Sequence, residues 1–454
     1  MDLTRVKQVY FLGVGGIGMS ALARYFKSFG CVVSGYDKTK TTLTEQLERE
    51  GINIHYDENL DKIPSEIKSN QQDSIVIYTP AIPKNNAEYL FFIEQNIRLY
   101  KRAEVLGLIT KNYFTIAVAG THGKTTTSSI IAHVLNECGV DTIAFLGGIS
   151  LNFNSNLLLN IKAKTVVVEA DEFDRSFLTL SPNIAVVTSI DADHLDIYGD
   201  KNEMHKSYQD FVNKIDKTGV LITKPENTSA LKFENTITYH VKNEANYFPV
   251  QIKIEEGTYV LSIDDVIIRL GFPGIHNVEN AIAAYLVAKQ LKLDKAKVVK
   301  ALEGYRGVKR RFEYHVKSPK LVYIDDYAHH PEELNVCISS VKELYPDKKI
   351  TGVFQPHLFS RTRDFLDEFA TSLSLLDNLI LLDIYPAREL PIPGVTSQIL
   401  LEKVRCENKK LVQKEELLSY VAENDFEVFL TLGAGDIDVF VEHIANCFKE
   451  KLNG

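Results

Sequence analysis

The stretch YFTIAVAGTHGKTTTSSIIAHVLNECG, residues 113–139, has the pattern of a buried strand, a glycine-rich loop and a helix. Its apolar run at 113–119 predicts a strand of a parallel sheet, and the residues after the loop predict a helix that ends before Gly139. Strands and helical patterns alternate on both sides of this stretch, which is typical of α/β proteins. Between about 245 and 272, short strands and tight turns instead predict a small antiparallel sheet.

Length and composition bound the class of protein. The 454 residues are enough for about three domains, and the alternating pattern restarts near 112 and 315, so we predict domains at 1–112, 113–315 and 316–454. The net charge of −9 disfavours broad binding to nucleic acid or to anionic membranes. The five cysteines form no CxxC pair, and the sequence shows neither a signal peptide nor a membrane-length apolar run. We expect a soluble, cytoplasmic protein.

The glycine-rich loop after the first strand predicts a phosphate site. Backbone N–H groups of such a loop bind phosphates at a helix N-terminus. A lysine there can neutralise the terminal phosphates of a nucleotide, and a threonine hydroxyl can bind Mg²⁺. The loop is a shortened variant, because fewer residues separate its two glycines than in the usual phosphate loop. The residues predicted to bind the nucleotide are Gly120, Thr121, His122, Gly123, Lys124, Thr125 and Thr126.

A second glycine loop stands near the N-terminus, between a predicted strand and a predicted helix. Gly13, Gly15, Gly16 and Gly18 form the pattern GVGGIG, and Asp37 ends the next strand. The glycines let backbone N–H groups approach a diphosphate, and an acid at this spacing often meets a ribose hydroxyl. Three interpretations stay open at this point: NAD, another diphosphate such as a UDP-sugar, or a tight turn without a ligand.

Acidic residues follow the predicted strand TVVVEA. Glu169, Asp171 and Glu172 lie at its carboxyl end, which is where ligands gather in parallel sheets. A carboxylate beside a phosphate loop is a natural Mg²⁺ ligand. His194 follows the next strand in an acidic cluster and is a further candidate ligand, although a single histidine is more often structural.

Two polar segments flank the second predicted boundary. GIHNVENAIAA places His276, Asn277 and Asn280 at a predicted helix start. An asparagine side chain can pair with the edge of adenine, and Asn277 could alternatively cap the helix.

The run KRRFE follows these helices. We expect Lys309 and Arg310 to be solvated, as in most charge runs, whereas Arg311 precedes an apolar residue and is a candidate phosphate contact.

Polar residues also follow two predicted strands of the last unit, in DDYAHHP and QPHLFSRTRD. Arginine suits a carboxylate because its planar fork binds both oxygens. Either histidine of the HH pair could instead be structural. The candidates are Asp325, Asp326, Tyr327, His329, His330, His357, Arg361 and Arg363.

Taken together, the motifs GTHGKTT, EADE, HNxxN, RRFE and DDYAHHP resemble the Mur ligase family over essentially the whole chain. These ATP-dependent ligases build the peptide stem of bacterial cell-wall precursors. DADHLDIYGD and LGAGDI are most similar to the member that joins L-alanine to UDP-N-acetylmuramate, and less to a relative that joins an intact tripeptide to the same sugar. The resemblance implies a Rossmann-like domain for the UDP-sugar, a central ATPase domain and a Rossmann-like C-terminal domain for the amino acid.

The resemblance also implies roles for single residues. Lys124 is implied to contact the γ-phosphate of ATP, Thr125 and Glu169 to bind one Mg²⁺, and Glu169 and His194 to bind a second. The nucleoside is implied to meet Asn280 and either Asp325 or Asp326, and the amino acid Tyr327, His329, His357 and Arg361.

Amide formation of this kind needs an activated carboxylate, which ATP supplies as an acyl phosphate. We expect Lys124 and Mg²⁺ to meet the charge of the transferred phosphoryl group, Arg311 to assist and His194 to take the ammonium proton from alanine. The partners would be small molecules, and the protein a monomer or a weak homodimer. The alternatives are an NAD-dependent oxidoreductase, based on GVGGIG, and a nucleotide switch without ligase activity.

Two positions depart from the family pattern. Relatives often carry arginine after the histidine of QPH, where this chain has Leu358, so that a cation is missing or Arg363 supplies it. Many family members have a carbamylated lysine at the position that Gln209 occupies in this chain. Because this chain has no lysine there, we predict no carbamate.

Overall fold

Two compact units make up the computed structural model, which describes residues 3–69, 72–191, 198, 200–241, 245–255, 258–272, 274–387 and 389–453. The first unit comprises 1–251, 261–268 and 279–306, and the second comprises 252–260, 269–278 and 307–454. Parallel strands alternate with helices in both, so the fold class is α/β, as predicted.

The N-terminal sheet is parallel. Its strands are β1 (Gln8–Leu12), β2 (Val32–Tyr36), β3 (Asn53–His55), β4 (Ser74–Tyr78) and β5 (Leu99–Lys101). Its helices are α1 (Ile17–Ser28), α2 (Thr42–Arg49), α3 (Ser65–Ser69), α4 (Ala87–Glu94) and α5 (Arg102–Thr110), with 3₁₀ turns at Leu3–Arg5 and Leu60–Lys62. The order β3-β2-β1-β4-β5 has a switch point between β1 and β4, and the first glycine loop follows β1. Ligands of open α/β sheets bind at such a point.

The second sheet carries the phosphate loop. Its strands are β6 (Phe114–Ala119), β7 (Thr142–Ser150), β8 (Ser155–Leu158), β9 (Thr165–Glu169), β10 (Ile184–Val187), β11 (Val220–Thr223) and β12 (Thr236–Thr238). Its helices are α6 (Lys124–Glu137) and α7 (Lys201–Val212), with 3₁₀ segments at Phe173–Thr179 and Pro225–Ser229. The order is β12-β11-β10-β6-β9-β7-β8, and the pairings are parallel except for that of β8 with β7. The β7–β8 hairpin was not predicted, because two glycines interrupt the apolar pattern of β7.

The small sheet has the predicted antiparallel form. Its strands are β13 (Gln251–Glu255), β14 (Thr258–Ile263) and β15 (Val266–Arg269), in that order. Asp264 and Asp265 connect β14 and β15 with φ of 51° and 63°, as a two-residue hairpin turn requires. Two helices follow, α8 (Ile275–Gln290) and α9 (Lys295–Glu303).

The C-terminal sheet is mixed. Its strands are β16 (Glu313–Lys317), β17 (Val322–Asp326), β18 (Ile350–Phe354), β19 (Asn378–Leu381), β20 (Asn408–Leu411) and β21 (Val428–Leu432). Its helices are α10 (Pro331–Leu344), α11 (Phe359–Asp364), α12 (Leu366–Leu373), α13 (Ser397–Lys403), α14 (Leu417–Glu423) and α15 (Asp438–Asn453), with a 3₁₀ turn at Lys414–Glu416. The order is β16-β17-β21-β18-β19-β20, with β16 antiparallel to β17 and the other pairs parallel.

One apolar core serves both large sheets of the first unit. Phe11 of β1, Leu22 of α1, and Phe145 and Val168 of the second sheet all belong to it. The Tyr25 ring of α1 lies 5.5 Å from the Phe145 ring. The first glycine loop and the phosphate loop are therefore parts of a single packed body. No helix in the described part of the chain combines the length and apolarity needed to cross a membrane.

Candidate functional site

The phosphate loop runs from the carboxyl end of β6 to the start of α6, as predicted. Gly120 has a φ of 136°, and a Cβ there would lie 2.0 Å from the Thr188 Oγ1, so only glycine fits. Gly123, with a φ of 80°, precedes α6 without a side-chain cap. The first turn of α6 contains no acidic residue. An uncapped helix N-terminus of this kind suits an anion.

The Lys124 ammonium is buried in this loop. It donates to Gly120 O at 2.6 Å, to Thr121 O at 3.4 Å and to the Glu172 Oε1 at 2.8 Å. The Lys124 side chain is 15% exposed and that of Glu172 only 2%. Burial by itself would lower the pKa of Lys124, but the carboxylates of Glu172, Glu169 and Asp171 outweigh it and raise that pKa. Lys124 therefore stays charged near neutral pH and can pair with a phosphate.

Thr125 and Glu169, two of the three predicted metal ligands, are in contact. The Thr125 hydroxyl donates to the Glu169 Oε1 at 3.1 Å, across 44 residues of sequence. Glu169 ends β9, and a Cβ on Gly147 of the neighbouring β7 would lie 2.1 Å from its Oε2. A hydroxyl and a carboxylate beside a phosphate loop are the hard oxygen donors that Mg²⁺ prefers, so these residues fit that ion.

The opposite side of the loop contacts residues that the sequence patterns did not single out. The Thr121 Oγ1 lies 2.8 Å from the Ser189 Oγ, which also accepts from the His122 N–H at 3.0 Å. Thr188 and Ser189 directly follow β10. Hydroxyl residues at the end of a buried strand were the sequence signal that could have identified them as site residues. His194 lies outside the described residues, so its role as a ligand stays a prediction.

Asn280 lies against the phosphate loop. Its Oδ1 accepts from the Thr127 hydroxyl at 2.9 Å, and a Cβ on Gly123 would lie 2.9 Å from the same oxygen. The alternative role of Asn277 as a helix cap is wrong, because α8 begins at Ile275 and Asn277 is already inside it.

Asp37 contacts the first glycine loop. Its Oδ2 accepts from the Gly15 N–H at 2.7 Å, and its Oδ1 accepts from the Thr39 N–H at 3.1 Å. Gly13 has a φ of 86°, and Gly16 precedes α1 without a side-chain cap. The acid thus orders the loop itself, and its predicted contact with a ribose stays a prediction.

A second cluster, in the second unit, brings together the residues predicted to meet an amino acid. The His329 Nδ1 lies 3.0 Å from Tyr327 O and 3.2 Å from the Glu333 Oε2. Both partners accept hydrogen bonds, so Nδ1 is the protonated nitrogen and Nε2 is left as an acceptor. Burial lowers the pKa of His329, Glu333 opposes this, and Arg361 lowers it further. The ring of His357 lies 6.0 Å from that of His329. His329 is therefore a neutral imidazole that can accept a proton.

The two arginines of α11 differ in their surroundings. Arg361 is partly buried, and its Nη1 is buried without a hydrogen-bond partner among the described residues. Arg363 is exposed, and its Nε donates to the adjacent Asp364 at 2.7 Å. Arg361 is thus the one placed to bind an incoming anion.

The predicted departures from the family pattern have local structural roles. Leu358 precedes α11 with a φ of 73°, which is strained for a leucine. Gln209 binds both backbone groups of Lys232: its Nε2 donates to the carbonyl at 3.1 Å and its Oε1 accepts from the N–H at 2.7 Å.

The charged run after α9 is only partly solvated. Lys309 is exposed, as predicted, but the expectation for Arg310 is wrong. Arg310 donates to the Asp325 Oδ2 at 3.1 Å and to Gly433 O at 2.6 Å, because the buried Asp325 needs a cation. The Arg311 guanidinium lies 5.2 Å from the Tyr327 ring, beside the amino-acid cluster.

Some of the remaining residues of DDYAHHP have structural roles, and others are candidate substrate contacts. Asp325 is fully buried and also accepts from the Thr431 hydroxyl at 2.6 Å. Asp326 is less buried and accepts from the Phe312 and Ala328 N–H groups, and burial raises its pKa to about 6. His330 precedes α10 as its cap, so this histidine is structural.

Comparison with known proteins agrees with this geometry. The model of the Mur ligase family, catalytic domain, matches residues 8–114, that of the Mur ligase middle domain 118–288, and that of the Mur ligase glutamate ligase domain 310–435. A UDP-N-acetylmuramate–L-alanine ligase of Flavobacterium johnsoniae is 50% identical, with 100% of both chains covered.

Two solved structures share the three-domain fold. The UDP-N-acetylmuramate–alanine ligase of Thermotoga maritima matches with a TM-score of 0.84 and 28% identity, covering 98% of this chain and 99% of that one. A murein peptide ligase of Psychrobacter arcticus matches with a TM-score of 0.70 and 19% identity, covering 97% and 98%, and so supports the fold alone. The chain has a phosphate loop with acidic residues at neighbouring strand ends, and its relatives match it over their whole length. It therefore belongs to the Mur ligase family.

Proposed function

We propose that the protein joins L-alanine to the lactyl carboxylate of UDP-N-acetylmuramate, using ATP and releasing ADP and phosphate, in peptidoglycan precursor synthesis. The observation that carries the proposal is the buried Lys124 ammonium at the phosphate loop, next to the Thr125–Glu169 pair. A relative named for this reaction, 50% identical over its full length, supports the choice of substrates.

The reaction needs ATP because a carboxylate is a poor electrophile. A lactyl carboxylate oxygen attacks the γ-phosphorus, and ADP leaves with the electrons of the broken P–O bond. The neutral amine of alanine then attacks the acyl phosphate, and inorganic phosphate departs from the tetrahedral intermediate. Lys124 and the N–H groups at the start of α6 stabilise the negative charge of the transferred phosphoryl group.

Thr125 and Glu169 are the residues that would hold Mg²⁺ in this site. The ion would neutralise charge on the β- and γ-phosphates. We assign a second Mg²⁺ to Glu169 and His194, of which His194 lies outside the described residues. For the nucleoside we propose Asn280 at the adenine and, at the ribose, Asp326 rather than the fully buried Asp325.

The amino-acid end of the reaction is assigned to the second cluster. Arg361 would bind the alanine carboxylate through its planar fork, with Tyr327 and His357 beside it. Among the described residues, the neutral His329 is suited to take the ammonium proton that must leave before attack, an alternative to His194. Arg311, near Tyr327, would contact a phosphate oxygen.

The domain roles follow from these assignments. We propose that residues 1–112 bind the UDP-sugar, with the diphosphate at Gly13, Gly15, Gly16 and Gly18 and with Asp37 nearby; 113–315 bind ATP; and 316–454 bind the amino acid. The protein would act in the cytoplasm on small molecules, as a monomer or a weak homodimer.

Phosphate release measured with each substrate omitted in turn tests the proposal. We expect release to require ATP, Mg²⁺, UDP-N-acetylmuramate and L-alanine together. Release from ATP alone, unaffected by the other two, would instead indicate a nucleotide switch.

Calorimetry with UDP-N-acetylmuramate and with NAD tests the first glycine loop. We expect the UDP-sugar to bind and NAD not to bind. Tight NAD binding without UDP-sugar binding would favour an oxidoreductase and contradict the domain assignment.

A further inference from the structure

A cavity of about 170 Å³ in the first unit is lined by residues of α1, of α5 and of the second sheet. Its lining includes Gly18, in the first turn of α1, Glu169 at the end of β9, and Asp171. Glu169 in turn contacts Thr125 of the phosphate loop. The cavity is therefore lined both by a glycine of the loop assigned to the UDP diphosphate and by a residue assigned to Mg²⁺.

Arg102 is the one cationic side chain lining this cavity in the described part of the chain. It begins α5, its side chain is 25% exposed, and its Nη2 donates to the Asp171 Oδ2 at 3.1 Å. A Cβ on Gly18 would lie 2.5 Å from the Arg102 Nη1. The last glycine of the GVGGIG pattern thus leaves room for this guanidinium.

We propose that Arg102 binds the lactyl carboxylate of the sugar substrate in this cavity, exchanging its ion pair with Asp171 for one with the substrate. The inference rests on the proposed function and deepens it: it assigns the group that places the reacting carboxylate, which no motif of the sequence indicated.

The charge around the cavity explains why the carboxylate needs such a partner. Glu169 and Asp171 line the cavity, and Glu172 lies next to them on Lys124. A substrate carboxylate that enters here meets the two acidic side chains of the lining, and like charges in a partly buried site repel strongly. The fork of Arg102 can offset that repulsion and can bind both carboxylate oxygens. The same exchange releases Asp171 to face the cations of the phosphate site.

The test compares two ligands that differ in the lactyl group. Calorimetry without ATP measures the dissociation constants of UDP-N-acetylmuramate and of UDP-N-acetylglucosamine, which lacks that group, for the wild type and for Arg102→Met. We expect Arg102→Met to weaken UDP-N-acetylmuramate at least about tenfold more than UDP-N-acetylglucosamine, as the loss of a charge-assisted pair requires. Arg98→Met is the matched control, because Arg98 is exposed and its guanidinium stacks 4.4 Å from the Tyr100 ring.

The other outcomes separate the causes. An equal loss of affinity for both ligands would place Arg102 at the diphosphate and overturn the inference. Unchanged affinity for both ligands would also overturn it. If a thermal melt shows that Arg102→Met is unfolded, Arg102→Lys replaces it, because lysine keeps the charge but not the planar fork. The same selective loss of affinity for UDP-N-acetylmuramate is expected. Failure of the wild type to bind either UDP-sugar would contradict the proposed function itself.

Discussion

Replacing Lys124 by alanine tests catalysis and stability together. The substitution removes the ammonium and its hydrogen bonds to Gly120 O, Thr121 O and Glu172. A preorganised donor to a transition-state charge contributes ~3–4 kcal/mol, so we expect turnover to fall by about 10²–10³. Phosphate release with saturating substrates measures this loss.

The same substitution leaves Glu172 buried without its cation. Removal of one partner from a buried pair costs about 3–5 kcal/mol, an upper value because Glu172 can take up a proton. In the folded variant, burial raises the pKa of Glu172 above that of the unfolded chain. The unfolded chain then loses its proton first, so the variant loses stability as pH rises. Urea unfolding at pH 6 and pH 8 should show the larger deficit at pH 8.

A double variant separates the two effects. In Lys124→Ala combined with Glu172→Gln, the buried acid is replaced by a neutral amide, so stability should recover while turnover stays low. The reasoning is refuted if Lys124→Ala keeps more than a tenth of wild-type turnover, or if the double variant regains turnover along with stability.

Three further substitutions test separate sites. Glu169→Ala should move the Mg²⁺ titration of activity to at least about tenfold higher concentration; an unchanged titration removes Glu169 from the metal site. Arg361→Lys should raise the KM for L-alanine at least about tenfold, whereas Arg363→Lys, the solvent-exposed control, should not; the reverse result would exchange their roles. Burial raises the pKa of Glu88 from 4.5 to about 7, although the hydrogen bond that Glu88 accepts from Tyr10 opposes this shift. The folded protein therefore keeps a proton that the unfolded chain loses, so stability should fall by about 2.5 kcal/mol between pH 5 and pH 8. Glu88→Gln should remove this slope in urea unfolding, and a slope that persists would assign it to other groups.

The parts of the site that the sequence could predict are those determined by neighbours along the chain. The spacing of GTHGKTT was enough to place a phosphate loop between β6 and α6, since strand, turn and helix signals are local. Thr125 and Glu169 could be brought together because the carboxyl ends of adjacent parallel strands meet at one edge of a sheet.

The parts that escaped prediction depend on side-chain packing between distant segments. Glu172 pairs with Lys124 across 48 residues, and Arg102 pairs with Asp171 across 69. Neither pairing leaves a periodic or spaced signal in the sequence. Arg310 was expected in solvent for the same reason, because the acid that binds it, Asp325, is buried on a strand that follows it.

The apolar core shared by the two large sheets of the first unit bears on how this chain unfolds. Leu22 and Phe145 lie in one continuous cluster, so neither sheet can lose its packing without exposing the other. Residues 1–112 and the ATP-binding segment after them should therefore melt in one cooperative transition rather than two. A fragment cut near residue 112 would present the buried face of α1 to water and would tend to aggregate, even though the sequence pattern restarts at that point.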